Sequence, residues 1–240
     1  MTQQYNYRIT GDLKMADVVD LNQRLLLVIE RFGISLGFGD KTIYEVSAQY
    51  KINPALLLLV MNVFNDHSFT VDGLVTPEYI PGLVEYLKRG HRYFLTEKLP
   101  YISQLIDRFI ERTENPDTRL LRSFFQEYVN EVVEHMHLEE KTVFPYILEV
   151  FEQSGGKESK LLNYRIDDFV DNHTDIEEKL EDLKNLLIKH FPPTRDRFFR
   201  NQILLELYDL EYDLNDHNGV EERILAPLVR TLENKTRRHE

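Results

Sequence analysis

Apolar residues recur at helical spacing along much of the chain. The segment MADVVDLNQRLLLVIERFGI places Leu25, Leu26, Val28 and Ile29 on a helix that ends near Gly33, where glycines at 33, 37 and 39 break the pattern. A second helix is expected from about Lys41, capped by Asp40 or Thr42 and carrying Ile43, Val46 and Ala48. KINPALLLLVMNVFND predicts a third, with Asn53 as N-cap and Pro54 at the first helical position. Asn65 to Pro81, holding Asp66, Gly73, Pro77 and Pro81, reads as a linker or surface loop. From Gly82 the helical pattern lengthens into four segments, about 82–112, 118–150, 160–190 and 195–234, broken at TENPD, QSGGKES and HFPPT. Short connections imply antiparallel neighbours. The expected fold is therefore all-α: a small helical domain over 1–70, then an up-down-up-down four-helix bundle over 82–234.

Composition narrows the chemistry. Among 240 residues there is no cysteine, so this chain offers no disulfide, zinc–thiolate or iron–sulfur ligation and no thiol catalysis. A metal must be held by His, Asp and Glu. The start, MTQQYNYRIT, lacks the basic and apolar regions of a signal peptide, and apolar runs such as Ala55 to Met61 are far short of a bilayer span. A cytoplasmic protein without a membrane partner is expected. The net charge of −12 disfavours nucleic acid. TIYEVSAQYKINPALLLLV has the length of a helix-turn-helix, but residues 1–70 hold six Lys or Arg against seven Asp or Glu, and the third helix offers little to phosphates or base edges. No nucleic-acid partner is expected. The apolar face of that helix must be buried, against its own chain or in a homodimer.

An internal repeat carries the strongest chemical signal. HMHLEEKTVFP runs from His135 to Pro145 and HNGVEERILAP from His217 to Pro227. Each has a His, a Glu four residues on, a second Glu, and a Pro six residues beyond the first Glu. Positions i and i+4 share a helix face, so His135 with Glu139, and His217 with Glu221, each aim an imidazole and a carboxylate in one direction. His91 precedes His135 by 44 residues, and His173 precedes His217 by the same interval. Each half thus supplies a lone His and a His-x-x-x-Glu pair, and two halves related by a pseudo-twofold axis would bring four His and two Glu into one bundle core. That donor set suits two non-haem iron ions bridged by glutamate and by oxo or hydroxo; a mixed iron–manganese pair would accept the same ligands.

Other residues read more plainly. A single His-x-x-x-Glu is usually a surface pair, and only the duplicated spacing lifts these above it. Glu140 and Glu222 are solvated or hydrogen-bonded to a ligand imidazole. His137 faces away from His135, His190 lies at a helix end, and His67 and His239 lie in a linker and a tail. Pro145 and Pro227 are expected to end or kink their helices. Tyr93 and Tyr128 are expected in core packing, Tyr128 about two turns before His135.

The stretch from His91 to Pro227 resembles the duplicated haemerythrin-like bundle of di-iron proteins associated with repair of damaged iron–sulfur clusters, the RIC family. HMHLEEKTVFP is similar to its second-helix motif, DNHTDIEEKL to its third, and DLNDHNGVEERILAP to its last, with Ala226 where Phe is usual. The resemblance implies the same ligands: His91, His135, Glu139, His173, His217 and Glu221. Where the family often has adjacent histidines at the first position, this chain has His91 followed by Arg92. The segment VVDLNQRLLLVIERFGISLGFGDKTIYEVSAQYKINPALLL resembles the small domain that precedes the bundle. In place of the family's two cysteines and glycine it has Leu36-Gly37-Phe38-Gly39, so thiol-assisted roles are lost. The resemblance implies a stress-defence protein that helps restore iron–sulfur clusters and binds or reduces NO or O₂, with iron–sulfur proteins as clients. The competing readings are a non-enzymatic O₂, NO or redox sensor and simple iron handling.

Overall fold

The computed structural model describes residues 7–113, 117–153, 166, 174–191 and 197–236. By contacts the chain divides into two compact units: Met1–Arg89 with Val150–Glu158 and Gly219–Glu240, and Gly90–Glu149 with Ser159–Asn218. The described residues form helices and no strand, with one isolated bridge between Lys14 and Thr42. None of these helices is long and apolar enough to cross a membrane.

The N-terminal unit contains α1 (Met15–Leu21), α2 (Leu25–Arg31), α3 (Ile43–Tyr50) and α4 (Pro54–Asn65). The sequence pattern suggested one helix where α1 and α2 stand. Asn22 separates them, because its side-chain oxygen accepts the Arg24 N–H and its amide donates to Asn65 at 3.0 Å. Such local side-chain bonds compete with helix propagation. Thr42 and Glu45 form a reciprocal capping box on α3, and Asn53 caps α4 ahead of Pro54, as expected. Leu57, Val60 and Met61 of α4 are fully buried, and α2 and α3 pack on that helix. The apolar face is thus covered within its own unit. Asn62 ties the N-terminal segment to α4 by accepting the Ile9 N–H at 2.8 Å and donating to the Ile9 carbonyl at 2.9 Å. A 3₁₀ turn, Pro77–Tyr79, leads into α5 (Ile80–Tyr93).

The second unit is a helical bundle built from the end of α5, α6 (Leu99–Arg112), α7 (Asp117–Leu138), α9 (Thr174–Asn185) and most of α10 (Arg197–Val220); α8 is Phe144–Gln153 and α11 is Ala226–Thr236. Of the expected third bundle helix, most of its first half lies outside the described residues. The core stripes explain the packing. On α7, Leu121, Phe125, Tyr128 and Val132 are buried at alternating four- and three-residue steps. On α10, Ile203, Leu207, Leu210 and Leu214 do the same. The next positions in those two series are His135 and Glu139, and His217 and Glu221. Each His–Glu pair is therefore the polar end of an apolar seam.

Among the described residues, four π turns interrupt these helices: Phe94–Lys98, Glu139–Val143, Leu186–His190 and Glu221–Leu225. Each ends two residues before a proline, at 100, 145, 192 and 227. Pro145 and Pro227 were expected to end or kink their helices, yet each helix continues through its proline. Proline lacks an N–H and crowds the carbonyl four residues back. The wider turn relieves that conflict, with the N–H just before each proline bonding five residues back, to Phe94, Glu139, Leu186 and Glu221 respectively.

Candidate metal centre

His91 is fully buried near the end of α5, and its imidazole meets three groups. Its Nε2 lies 2.9 Å from Glu139 Oε2 and 3.1 Å from His217 Nε2. Its Nδ1 lies 3.1 Å from Glu140 Oε1, where an Nδ1–H donates to the carboxylate. The other oxygen of Glu139, Oε1, lies 2.8 Å from His135 Nε2. One buried carboxylate therefore faces two imidazoles, each through a different oxygen. Aromatic rings fix the imidazoles: Phe144 stacks on His91 with centroids 5.5 Å apart, and Phe94 meets His217 edge-on at 5.7 Å.

Four residues beyond His217, at the start of the π turn that follows α10, Glu221 is fully buried. One ligand atom from each of His91, Glu139, His217 and Glu221 lies within 4.8 Å of the others. His135 is 14% exposed in its side chain, at the rim. His173, the sixth expected ligand, lies outside the described residues. Five of the six predicted positions are thus described, and all five carry their donors into or beside one cluster.

The donors fit a metal ion. Two ligands about 2.1 Å from a cation and at right angles to each other are about 3.0 Å apart. The three nitrogen–oxygen and nitrogen–nitrogen separations above run from 2.8 to 3.1 Å. Burying two carboxylates beside imidazoles is costly without positive charge, and a divalent cation supplies it.

Beside His135, Glu139 and His217 lies a cavity of about 20 Å³, walled by Val132, Met136, Ile176, Leu180 and Leu214. That is room for roughly one water-sized molecule. Glu211 also lines it and holds the buried Lys184 ammonium, which bonds Glu181 at 2.7 Å as well. Burial pulls the Lys184 pKa down, but the bonds to Glu181 and Glu211 outweigh it and the net shift is upward.

The remaining sequence expectations sort by burial. Glu140, half-exposed, takes the ligand-orienting option, whereas Glu222 is exposed. His67, His137 and His190 are exposed, and His239 lies outside the described residues. Tyr128 is a core residue, and burial, with the nearby Glu211 charge, pushes its phenol well above the usual tyrosine range. Sequence reasoning passed over Asp213 and Asp216, both buried on the turn before His217. Their signal is the run DLNDHNG, in which acidic residues fall on the ligand's own helix.

The family model described as the hemerythrin HHE cation binding domain matches residues 82–229. That span contains all six expected ligands. The chain is also 22% identical over 224 residues to the iron-sulfur cluster repair protein ScdA of Staphylococcus haemolyticus (strain JCSC1435), covering 90% of this chain and 97% of that protein. The chain belongs to the haemerythrin HHE cation-binding family, and its likeness to a cluster-repair protein through both the bundle and the preceding helices supports the repair-type branch of it.

Proposed function

We propose that this is a cytoplasmic di-iron protein that helps restore iron–sulfur clusters damaged by oxidative or nitrosative stress. The observation that carries the reading is the Glu139 carboxylate, buried with one oxygen toward His91 and the other toward His135. A carboxylate so placed is suited to be shared by two metal ions. His91, His135, Glu139, His173, His217 and Glu221 would hold the pair, and manganese could replace one iron on the same donors. When bound, the ferrous pair would supply electrons and an open position for O₂ or NO.

The protein's own groups set the terms of that chemistry. Glu140 orients the His91 ring through Nδ1. The apolar wall of Val132, Met136, Ile176, Leu180 and Leu214 admits a small uncharged molecule and disfavours hydrated ions. Damaged iron–sulfur proteins are the proposed clients, by analogy with the relative's name. Self-association through the N-terminal unit would rest on exposed Leu21, Leu36 and Tyr44 rather than on α4.

The test compares the protein purified without oxygen with a Glu139→Ala/Glu221→Ala double variant. Metal content and optical spectrum are measured before and after adding O₂ or NO, and each protein is then assayed for reactivating an NO-damaged iron–sulfur enzyme. About two irons per chain, with new absorption bands and reactivation that the variant lacks, are expected. A folded, metal-free wild type without spectral response would refute the di-iron reading. A loaded protein that reactivates nothing would refute the repair role alone.

A further inference from the structure

In the N-terminal unit, the end of α2, the α3–α4 corner and the first turns of α5 line an open cleft of about 330 Å³. That reaches the size of small-molecule sites. All its lining residues lie within this one unit, and none of them belongs to the metal centre. The lining holds Arg31, Lys51 and Arg89 together with Glu78 and Glu85. Three cations against two carboxylates leave one positive charge, in a chain whose net charge is −12.

Two of these cations, Arg31 and Arg89, are held in place, whereas Lys51 is exposed. Arg31 is only 3% exposed, and its Cζ lies 6.0 Å from the centroid of the buried Tyr86 ring, within cation–π range. Arg89 donates from Nε to Glu85 Oε1 at 2.9 Å and from Nη1 to the Arg31 carbonyl at 3.3 Å. Residue 33 must be glycine for this: its φ is +76°, and a Cβ there would stand 2.6 Å from Arg89 Nη1. Gly82 plays a matching part at the floor, where a Cβ would meet Leu56 Cδ2 at 2.6 Å. Leu56, Tyr79 and Tyr86, all buried, add apolar lining beside the guanidinium groups, with Arg31 over the Tyr86 ring.

We propose that this cavity binds a small monocarboxylate carrying an aromatic or branched apolar body. Guanidinium forks match a carboxylate in geometry as well as charge. One surplus positive charge complements a monoanion, whereas a phosphate dianion would overshoot it. The volume is too large for a bare carboxylate, and the tyrosine and leucine wall provides for the rest of the ligand. The α4 N-terminus beside Lys51 adds a favourable field for an anion.

Benzoate is the probe, with benzyl alcohol and phenyl phosphate as controls, titrated calorimetrically into the full chain at physiological salt. Benzoate is expected to bind one per chain with a Kd no weaker than the millimolar range, and both controls about tenfold more weakly. Arg89→Met, at a half-exposed position, and Arg31→Lys, which keeps the buried charge but loses the fork, should each weaken benzoate about tenfold. Circular dichroism verifies that both stay folded. The Glu139→Ala variant should bind benzoate like wild type. The proposal is overturned by non-saturable benzoate binding, by benzyl alcohol or phenyl phosphate binding as tightly, or by unchanged benzoate affinity in folded Arg89→Met.

Discussion

Replacing Glu140 tests whether the metal centre extends past its ligands. Its Oε1 accepts from His91 Nδ1 at 3.1 Å, so alanine removes both the charge and the acceptor that hold the imidazole's orientation. A charge-assisted hydrogen bond contributes about 1.5–3 kcal/mol when shielded. The Glu140 side chain is 39% exposed, so water weakens the interaction and the lower end applies. That is about 1.4 kcal/mol, or tenfold in metal affinity, at the low edge of what partners behind a ligand histidine usually contribute. Glutamine keeps an acceptor oxygen without the charge, and a loss of about threefold is expected. Anaerobic competition for ferrous ion against a chromophoric chelator reads both. If Glu140→Ala binds ferrous ion within twofold of wild type, the carboxylate does not orient His91 and the reasoning fails.

Two further outcomes follow from the bundle core. The Tyr128 hydroxyl is buried with no hydrogen-bond partner among the described residues, so Tyr128→Phe should stabilise the protein by about 1 kcal/mol and raise Tm by about 2–4 °C; a lower Tm in calorimetry would mean that the hydroxyl is bonded. Lys184→Met strands the Glu211 and Glu181 carboxylates, and because both are partly exposed the cost should be about 1–2 kcal/mol rather than that of a fully buried pair. The folded pKa of Lys184 is raised, so its contribution is complete below the ordinary lysine range and fades as pH climbs through the folded value. Denaturant melts should show a constant wild-type-minus-variant gap from pH 7 to 9 that closes at more alkaline pH; a gap that widens there would contradict the ion-pair reading.

Much of this molecule was legible because its signals are local or repeated. The capping box at Thr42, the Asn53–Pro54 helix start and the 3.6-residue periodicity are read directly from neighbouring residues. The grouping of His91, Glu139, His217 and Glu221 was legible because two copies of one motif stand at equal spacing from two lone histidines, a pattern that solvated pairs do not produce together. Three features were not legible, and each depends on residues far apart in sequence. The break at Asn22 is reinforced by Asn65, 43 residues away. Which of Glu140 and Glu222 would meet an imidazole was left open, and the choice follows from the helix packing that brings Glu140 to a ring 49 residues earlier. The cationic cavity needs Arg31 and Arg89 together, which only the approach of α5 to the end of α2 brings about.

The prolines show how a correctly noticed signal can carry a different meaning in three dimensions. Pro145 and Pro227 stand six residues after Glu139 and Glu221, and sequence logic reads each as a helix end. Continuing the helix requires the preceding turn to widen, and the turn that widens begins at the glutamate itself: the carbonyls of Glu139 and Glu221 accept from Phe144 and Ala226, five residues on. An extra residue in one turn rotates all that follows by about 100° relative to a regular α-helix. The His–Glu pair before the π turn and the apolar residues after it can therefore both face inward, His135 and Glu139 toward the donor cluster and Val143, Phe144 and Ile147 into apolar core. Phe144, first beyond the turn, is the ring that stacks on His91. Histidine, glutamate and proline at this spacing form one structural unit, in which the proline sets the turn that lets a helix present one imidazole and one carboxylate without giving up the packing that buries them.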